Sequence, residues 1–428
     1  MSTDRLDVVI FGATGFTGQR AVERSVEFLA KLKWGIAGRN QAKLENVRTE
    51  VGKKVSKDLS EIPIIIADVA DEESLKKMAQ QAKVVVNCCG PYRHFGEAVV
   101  KACVASGTHH VDVSGEPQYM ERMQLQYDEA ARESGVYIVS ACGFDSIPAD
   151  LGTIFHERHF EGVVNSVETY LVAKGDGPGA AVHYGTWESA IYGLAHANEL
   201  RELRGKLFKE RLPAMKPTLK NRPIIHRAPI VRNAVCLPFL GSDRSVVMRS
   251  QRFLYETQKK RPVQIRTYMS VGTYLNALLF IIAGAIFSLL TRFSIGRHLL
   301  LTYPKIFSFG LASHEGPSEE KRKNSKFTMW FQGKGWSEPL AEGEDQYKDP
   351  PTKKLITKVS GMDFGYGNTA AALLLCATTI LNEHVKMPGK GGVLAPGAAF
   401  GNTSLIDELN KNQIFAFEVV SAKDDSQN

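Results

Sequence analysis

The sequence predicts an α/β protein built on a doubly wound parallel sheet, and three observations carry that prediction. Short unbroken runs of Val and Ile recur along the first third, the pattern of strands covered on both faces. Helical stretches, among them Gln41–Val51 and Gln118–Ser134, separate those runs, as crossover helices do between parallel strands. The first apolar run passes directly into a glycine-rich turn and then into a helix.

The expected strands are Asp7–Phe11, Trp34–Ala37, Ile62–Ala67, Lys83–Asn87, His109–Val113 and Val136–Ser140. After the first comes Gly12-Ala13-Thr14-Gly15-Phe16-Thr17-Gly18. Gly12 permits a sharp turn, Gly15 lets backbone N–H groups approach a pyrophosphate, and Gly18 allows close helix–strand packing. The helix that follows presents its N-terminal dipole to the phosphates. The spacing is G-x-x-G-x-x-G, and its place between strand and helix makes this a Rossmann-like dinucleotide site. A dinucleotide enzyme selective for NAD places an acid at the end of the second strand. Here that strand ends Ala37-Gly38-Arg39-Asn40, and the planar fork of Arg39 suits a 2′-phosphate, so the expected cofactor is NADP(H). Asp68 closes the third strand at the adenine edge. The segment Asn87–Gly96, with Cys89, Gly90, Pro91 and Tyr92, passes the ribose and nicotinamide at the carboxyl end of the fourth.

Composition bounds the rest. At 428 residues the chain exceeds the roughly 250–300 that one core supports. The net charge of +7 is concentrated locally: Arg204–Arg232 holds nine Lys or Arg and one acid, Glu210. That run has few aromatics and no recognition motif, which excludes a nucleic-acid reading. Six cysteines show neither metal spacing nor a disulfide ladder, and the start lacks the charged and apolar regions of a secretion signal. The expectation is a reduced, non-secreted protein facing the cytosol, with no metal site.

Beyond the first domain, Val164–Ala173 alternates like a strand. A helix capped by Thr186 is expected to reach about Leu203. The segments KFTMWFQGKGW and KKLITKVSG read as two antiparallel strands. Asn368–Glu383 reads as a helix too short to span a bilayer, and the C-terminus as a short helix and a closing strand.

The strings FGATGFTG, AGRN, NCCGPY, DVSGEPQ, GFDSIPADLG and GGVLAPGAAFG run in order from Phe11 to Gly401. Together they resemble the saccharopine dehydrogenase-like oxidoreductase family, with more distant likeness to saccharopine reductases and to enoyl reductases of glycolipid synthesis. The resemblance implies an inserted α+β second domain, a C-terminal segment returning to the first, and a substrate cleft between them. The expected divisions are 1–150 for nucleotide binding, 151–385 for the second domain and 386–428 for the return.

No standard catalytic set stands out. Tyr255 and Lys259 have a short-chain dehydrogenase spacing, but they lie outside the nucleotide domain and are set aside. Tyr92, Asp145 and His183 are the candidates for proton donation or relay, and Glu116 is a further polar residue at the same edge. Each has a structural alternative: Tyr92 as a stacking ring, Asp145 with Ser146 as a helix cap, Glu116 and His183 as satisfied polar groups.

One apolar stretch stands apart. Met269–Thr291 carries no charge, and its dense part, Ala277–Leu290, has 14 residues where a span wants about 20. With Leu299–Leu311 it forms a candidate membrane-associating segment, 269–311, dipping into one leaflet beside the basic run. A buried hairpin, a homodimer contact and a true span are the alternatives. The expected function is an NADP(H)-dependent oxidoreductase of a hydrophobic, lipid-like substrate in lipid or glycolipid metabolism. Its expected place is the cytosolic face of membranes or lipid droplets, with mitochondrial association also compatible. The alternatives are a saccharopine-type amino-dicarboxylate dehydrogenase and a non-catalytic nucleotide-binding scaffold.

Overall fold

Unbroken apolar runs need cover on both faces, and the computed structural model shows how they obtain it; it describes residues 5–144, 146–175, 177, 179–340 and 346–424. The chain begins β1 (Leu6–Phe11), α1 (Phe16–Phe28), β2 (Trp34–Gly38), α2 (Gln41–Val55), β3 (Ile64–Ile66) and α3 (Glu72–Gln80). Next come β4 (Ala82–Asn87), α4 (Tyr92–Ala105), β5 (His109–Asp112), α5 (Pro117–Glu133), β6 (Tyr137–Val139) and α6 (Ile147–Arg158). The second region opens with β7 (Val163–Lys174), β8 (Val182–His183), α7 (Tyr184–Ala195), α8 (Glu199–Leu207) and β9 (His226–Ala228). Then follow β10 (Ala234–Pro238), α9 (Asp243–Gln258), β11 (Gln264–Gly272), α10 (Tyr274–Arg292), α11 (Ser294–Thr302) and α12 (Pro304–Phe307). It continues with β12 (Ala312–Ser313), α13 (Glu319–Asn324), β13 (Lys326–Trp336) and β14 (Lys353–Met362). The last elements are α14 (Gly367–Glu383), β15 (Gly392–Leu394), α15 (Pro396–Phe400), α16 (Leu405–Lys411) and β16 (Ala416–Asp424).

The first sheet is parallel throughout, in the order β15-β6-β5-β4-β1-β2-β3. Val8, Val9, Ile10 and Val84 to Val86 are fully buried, as a sheet with two covered faces requires. The second sheet runs β16-β14-β13-β7-β11-β10-β9; only β7 and β11 are parallel neighbours in it. The two expected antiparallel strands are β13 and β14, paired from Lys326–Met362 to Gly335–Lys353.

Helix α14 joins the two sheets. Its sequence is apolar on all sides, which suits a helix with no solvent face. It packs on α1, β4 and β5. A single apolar cluster runs from Val8 and Val86 through Leu373 to Val167 and Phe331. The return to the nucleotide sheet thus begins with α14, and β15 completes it beside β6.

Two local expectations are corrected. The helix expected from Thr186 to Leu203 is two helices, α7 and α8, broken around His196–Asn198. Its cap is His183, whose Nδ1 accepts the Gly185 N–H at 3.1 Å. The closing strand does not join the nucleotide sheet either. β16 is long enough to pair with β14 from Ala416 to Asp424, and it edges the second sheet.

Helix α10 is the exception to burial. Only Ala277 and Thr291 of its residues are buried; Leu275 is 66% exposed and Phe309, beyond α12, is 82% exposed. A hairpin buried within the chain, one alternative for this segment, is overturned.

The C-terminal return is pinned by a buried acid. Asp150 Oδ2 on α6 accepts the Gly397 N–H at 2.7 Å and the Ser250 hydroxyl at 2.8 Å, tying α6 to α15 and α9. Burial pushes its carboxyl up to about 7, against those hydrogen bonds. The folded state therefore holds a proton that the unfolded state releases from about pH 4 upward, and stability is lost as pH rises to about 7. Asp150→Asn removes this dependence. Its melting temperature relative to wild type is expected to climb between pH 4 and pH 8; thermal scans giving a constant difference would refute the buried, protonated acid.

Candidate functional site

The carboxyl edge of the first sheet gathers the residues that the sequence singled out. β1 ends at Phe11 and the chain turns at Gly12, whose φ of +77° an L side chain rarely adopts. A Cβ there would also lie 3.0 Å from the backbone leaving β4 at Cys88 and Cys89. At Gly18 a Cβ would stand 2.1 Å from the Gly12 carbonyl, so α1 can seat against the turn only with glycine. No side chain caps α1, and its cap residue Gly15 is extended. The first-turn N–H groups of Phe16, Thr17 and Gly18 are thereby left for an anion.

Beside this loop lies a cavity of about 430 Å³ lined by Thr14, Gln19, Ala42, Lys43, Asn46 and Val47. It sits between the glycine turn and the start of α2, where the adenosine end of a dinucleotide belongs. Arg39 is exposed at the end of β2. Asn40 caps α2, its side-chain oxygen accepting the Lys43 N–H at 2.9 Å. The cap holds Lys43 at the cavity wall and adds a second cation to Arg39. Sequence reasoning missed Lys43 because a lysine in the first turn of an exposed helix carries no local signal. Asp68 bends the chain after β3 by accepting the Ala70 N–H at 3.0 Å. Burial raises Cys88 to about 12 and Cys89 to about 11, so both stay protonated and inert at neutral pH. An uncapped helix, a cavity and two cations fit a 2′-phosphorylated dinucleotide.

The proton-transfer candidates fare differently. Tyr92 is buried at the start of α4; its hydroxyl donates to the Asn87 carbonyl at 2.9 Å and its ring lies 5.6 Å from Tyr119. That hydroxyl is spent on the strand's own carbonyl and burial raises its pKa, both of which oppose the donor role expected of it. The Glu116 carboxylate accepts the Tyr92 N–H at 3.0 Å and the Arg93 N–H at 2.9 Å, which satisfies the N-terminus of α4. Its role is a cap. His183 spends Nδ1 on Gly185, and burial lowers its pKa, which removes it as a relay through that atom. Asp145 lies outside the described residues.

Helix α7 roofs this edge. At one end the His183 ring stacks on Phe16 at 4.8 Å, with Tyr366 edge-on to Phe16 at 4.7 Å. At the other the Ser189 hydroxyl donates to Glu116 at 2.9 Å and Gln118 donates to the Gly193 carbonyl at 2.8 Å. The helix therefore crosses from the glycine loop to the turn after β5, over the place a nicotinamide would occupy.

Comparison with known proteins agrees with this geometry. The family model for the saccharopine dehydrogenase NADP binding domain matches residues 8–139. The chain is 42% identical to the human saccharopine dehydrogenase-like oxidoreductase, over 97% of this chain and 98% of that one. It is 38% identical to a Caenorhabditis elegans lipid droplet localized protein, over 95% and 96% of the two chains. The apo saccharopine dehydrogenase (L-Glu forming) of Saccharomyces cerevisiae shares the fold, with a TM-score of 0.57 at 14% identity, covering 97% of this chain and 100% of that one.

Arg39→Ala and Lys43→Ala are each expected to weaken NADPH by about tenfold or more, the worth of one charge-assisted hydrogen bond, and to leave NADH unchanged. Calorimetric titration checks this; equal losses for both nucleotides would mean that neither cation meets the 2′-phosphate.

Proposed function

The chain belongs to the saccharopine dehydrogenase-like oxidoreductase family, and from that premise we propose that it reduces or oxidises a hydrophobic, lipid-like substrate with NADP(H) at a membrane or lipid-droplet surface. NADP binding and oxidoreductase chemistry come with the family. The observation that carries the finer reading is how the apolar surface is attached to the roof of the cleft. The Trp187 ring of α7 lies 4.8 Å from Phe287 of α10, and its indole N–H donates to the Leu300 carbonyl of α11 at 2.9 Å. One helix thus touches both the exposed apolar segment and the nucleotide loop.

The exposed face is too large to be incidental surface. Leu275, Leu278, Leu279, Ile282, Ile286 and Leu289 all open to solvent along α10. At its base the Arg227 guanidinium sits 5.3 Å over the Tyr274 ring, a cation and an aromatic suited to the headgroup level. α10 is long and apolar enough to cross a bilayer by composition. Pairing argues against a crossing. β11 before it and β13 after it both pair with β7, so a single crossing would split one sheet across a membrane. α11, of 9 residues, is too short to cross back. Insertion into one leaflet is compatible with the sheet, and we assign it to the cytosolic face. The relative from Caenorhabditis elegans, named for lipid-droplet localisation, supports the same reading.

An amino-dicarboxylate substrate would need free cations in the cleft. Arg204 and Arg222 of the basic run are instead paired with Glu121 at 2.7 Å and Glu168 at 2.8 Å. A membrane scaffold without turnover predicts no lipid change when the nucleotide pocket is disabled.

Cells carrying Arg39→Ala are therefore expected to accumulate a lipid class that wild-type cells keep low; an unchanged lipid profile overturns the lipid substrate. Membrane-bound protein is expected to resist high salt, and Leu279→Glu with Ile286→Glu to release it. Complete release of the wild type by salt alone, or a dimer in solution that covers α10, overturns insertion.

A further inference from the structure

Reduction of a carbonyl or conjugated double bond needs a proton as well as a hydride, and two of the residues expected to supply it are engaged elsewhere. The Tyr92 hydroxyl donates to the Asn87 carbonyl and His183 caps α7. The roof helix carries another acid. Tyr184, Glu188 and Tyr192 recur at four-residue spacing and form one row along α7. The row's two ends are held: Tyr184 stacks on His314 at 4.1 Å, and Tyr192 meets His94 of α4 edge-on at 4.9 Å. Glu188, at its middle, lies between the anchor on Phe16 and the anchor on Glu116. It is half-buried, and among the described residues no cation pairs with it.

We propose that Glu188 is the proton donor of this oxidoreductase, presented by α7 to a substrate lying against the nicotinamide. The assignment rests on the NADP(H) reading of the cleft and names the acid that works within it. Two carboxylates near each other are here driven to different tasks. Glu116 is engaged as the cap of α4, its two oxygens accepting backbone N–H groups. Burial first, and then the Glu116 charge, raise the pKa of Glu188 and favour its protonated form.

NADPH, held by the glycine loop with Arg39 and Lys43, would supply the hydride, two electrons and a hydrogen nucleus, for the new C–H bond at the electrophilic carbon. As the π bond opens, its electron pair moves to the substrate oxygen. Glu188 gives that oxygen its proton: the carboxyl O–H breaks, the substrate O–H forms, and the substrate is reduced by two electrons. Water then reprotonates the carboxylate, and the half-exposed position of Glu188 leaves it a route to do so. In the oxidising direction the ionised Glu188 takes the proton back.

The test needs no substrate. NADP⁺ carries a positive ring where NADPH carries a neutral one, and the 2′-phosphate is common to both. A carboxylate facing the ring favours NADP⁺ once ionised. The ratio of NADP⁺ to NADPH affinity is expected to rise about tenfold from about pH 5 to about pH 8 in wild type. In Glu188→Gln it is expected to be flat. His94, His183, His314, Tyr184, Tyr192 and Glu116 surround the row and remain in the variant, so they cannot produce the difference. Calorimetry with each nucleotide across that pH range measures it. A flat ratio in wild type, or a pH dependence that survives Glu188→Gln, overturns the assignment. Failure of both nucleotides to bind at any pH would instead overturn the cofactor reading on which it rests.

Discussion

Everything in the cleft depends on one packing constraint: α14 lies against α1, β4 and β5 and shares a core with the second sheet. A helix such as AAALLLCATTI has no polar stripe, so it is stable only where both sides are covered. Meeting that need fixes the second sheet against the first. With the two held together, Tyr366, directly before α14, reaches the nucleotide loop: it sets its ring edge against Phe16, and its hydroxyl accepts the His183 N–H at 2.6 Å. The position of the roof thus follows from burial of a helix rather than from any contact with ligand.

The glycine loop shows what short-range sequence can specify. Turn, helix and strand lie within Leu6–Phe28; Gly12 is required there by its positive φ and Gly18 by its distance to the Gly12 carbonyl. Arg39 is similarly legible, because strand ends in such a sheet meet the ligand wherever the strand is placed. Lys43 is set one turn later by the Asn40 cap, and only the cavity between α1 and α2 reveals it.

The roof was less legible, for a physical reason. Its anchors join residues far apart in sequence: Phe16 with His183, Glu116 with Ser189, Gln118 with Gly193. None of these pairs leaves a periodic or compositional trace. Glu188 in particular looks like any helical surface acid until the opposite edge of the sheet is placed beneath it. The fate of the C-terminus was hidden in the same way. β15 has three residues, too few to show a pattern, whereas β16 has nine and draws attention as the closing strand. The short strand joins the nucleotide sheet and the long one does not.

The apolar segment was visible in composition, but its exposure is a property of topology. β11 and β12 bracket α10, α11 and α12, and both are tied into sheets: β11 to β7, and β12 to β8, whose last residue is His183. The segment leaves the fold and returns to it at points fixed by strand pairing, so it can bury its own surface only where it meets the body of the protein. Those contacts are α7, through Trp187, and the strands β10 and β11, through Ala277 against Val235, Leu237 and Val271. Among the described residues, no strand or helix covers the far side of α10 to complete a core. A mutation that made this face polar would leave both sheets and α14 untouched, which separates the stability of the fold from whatever covers the helix.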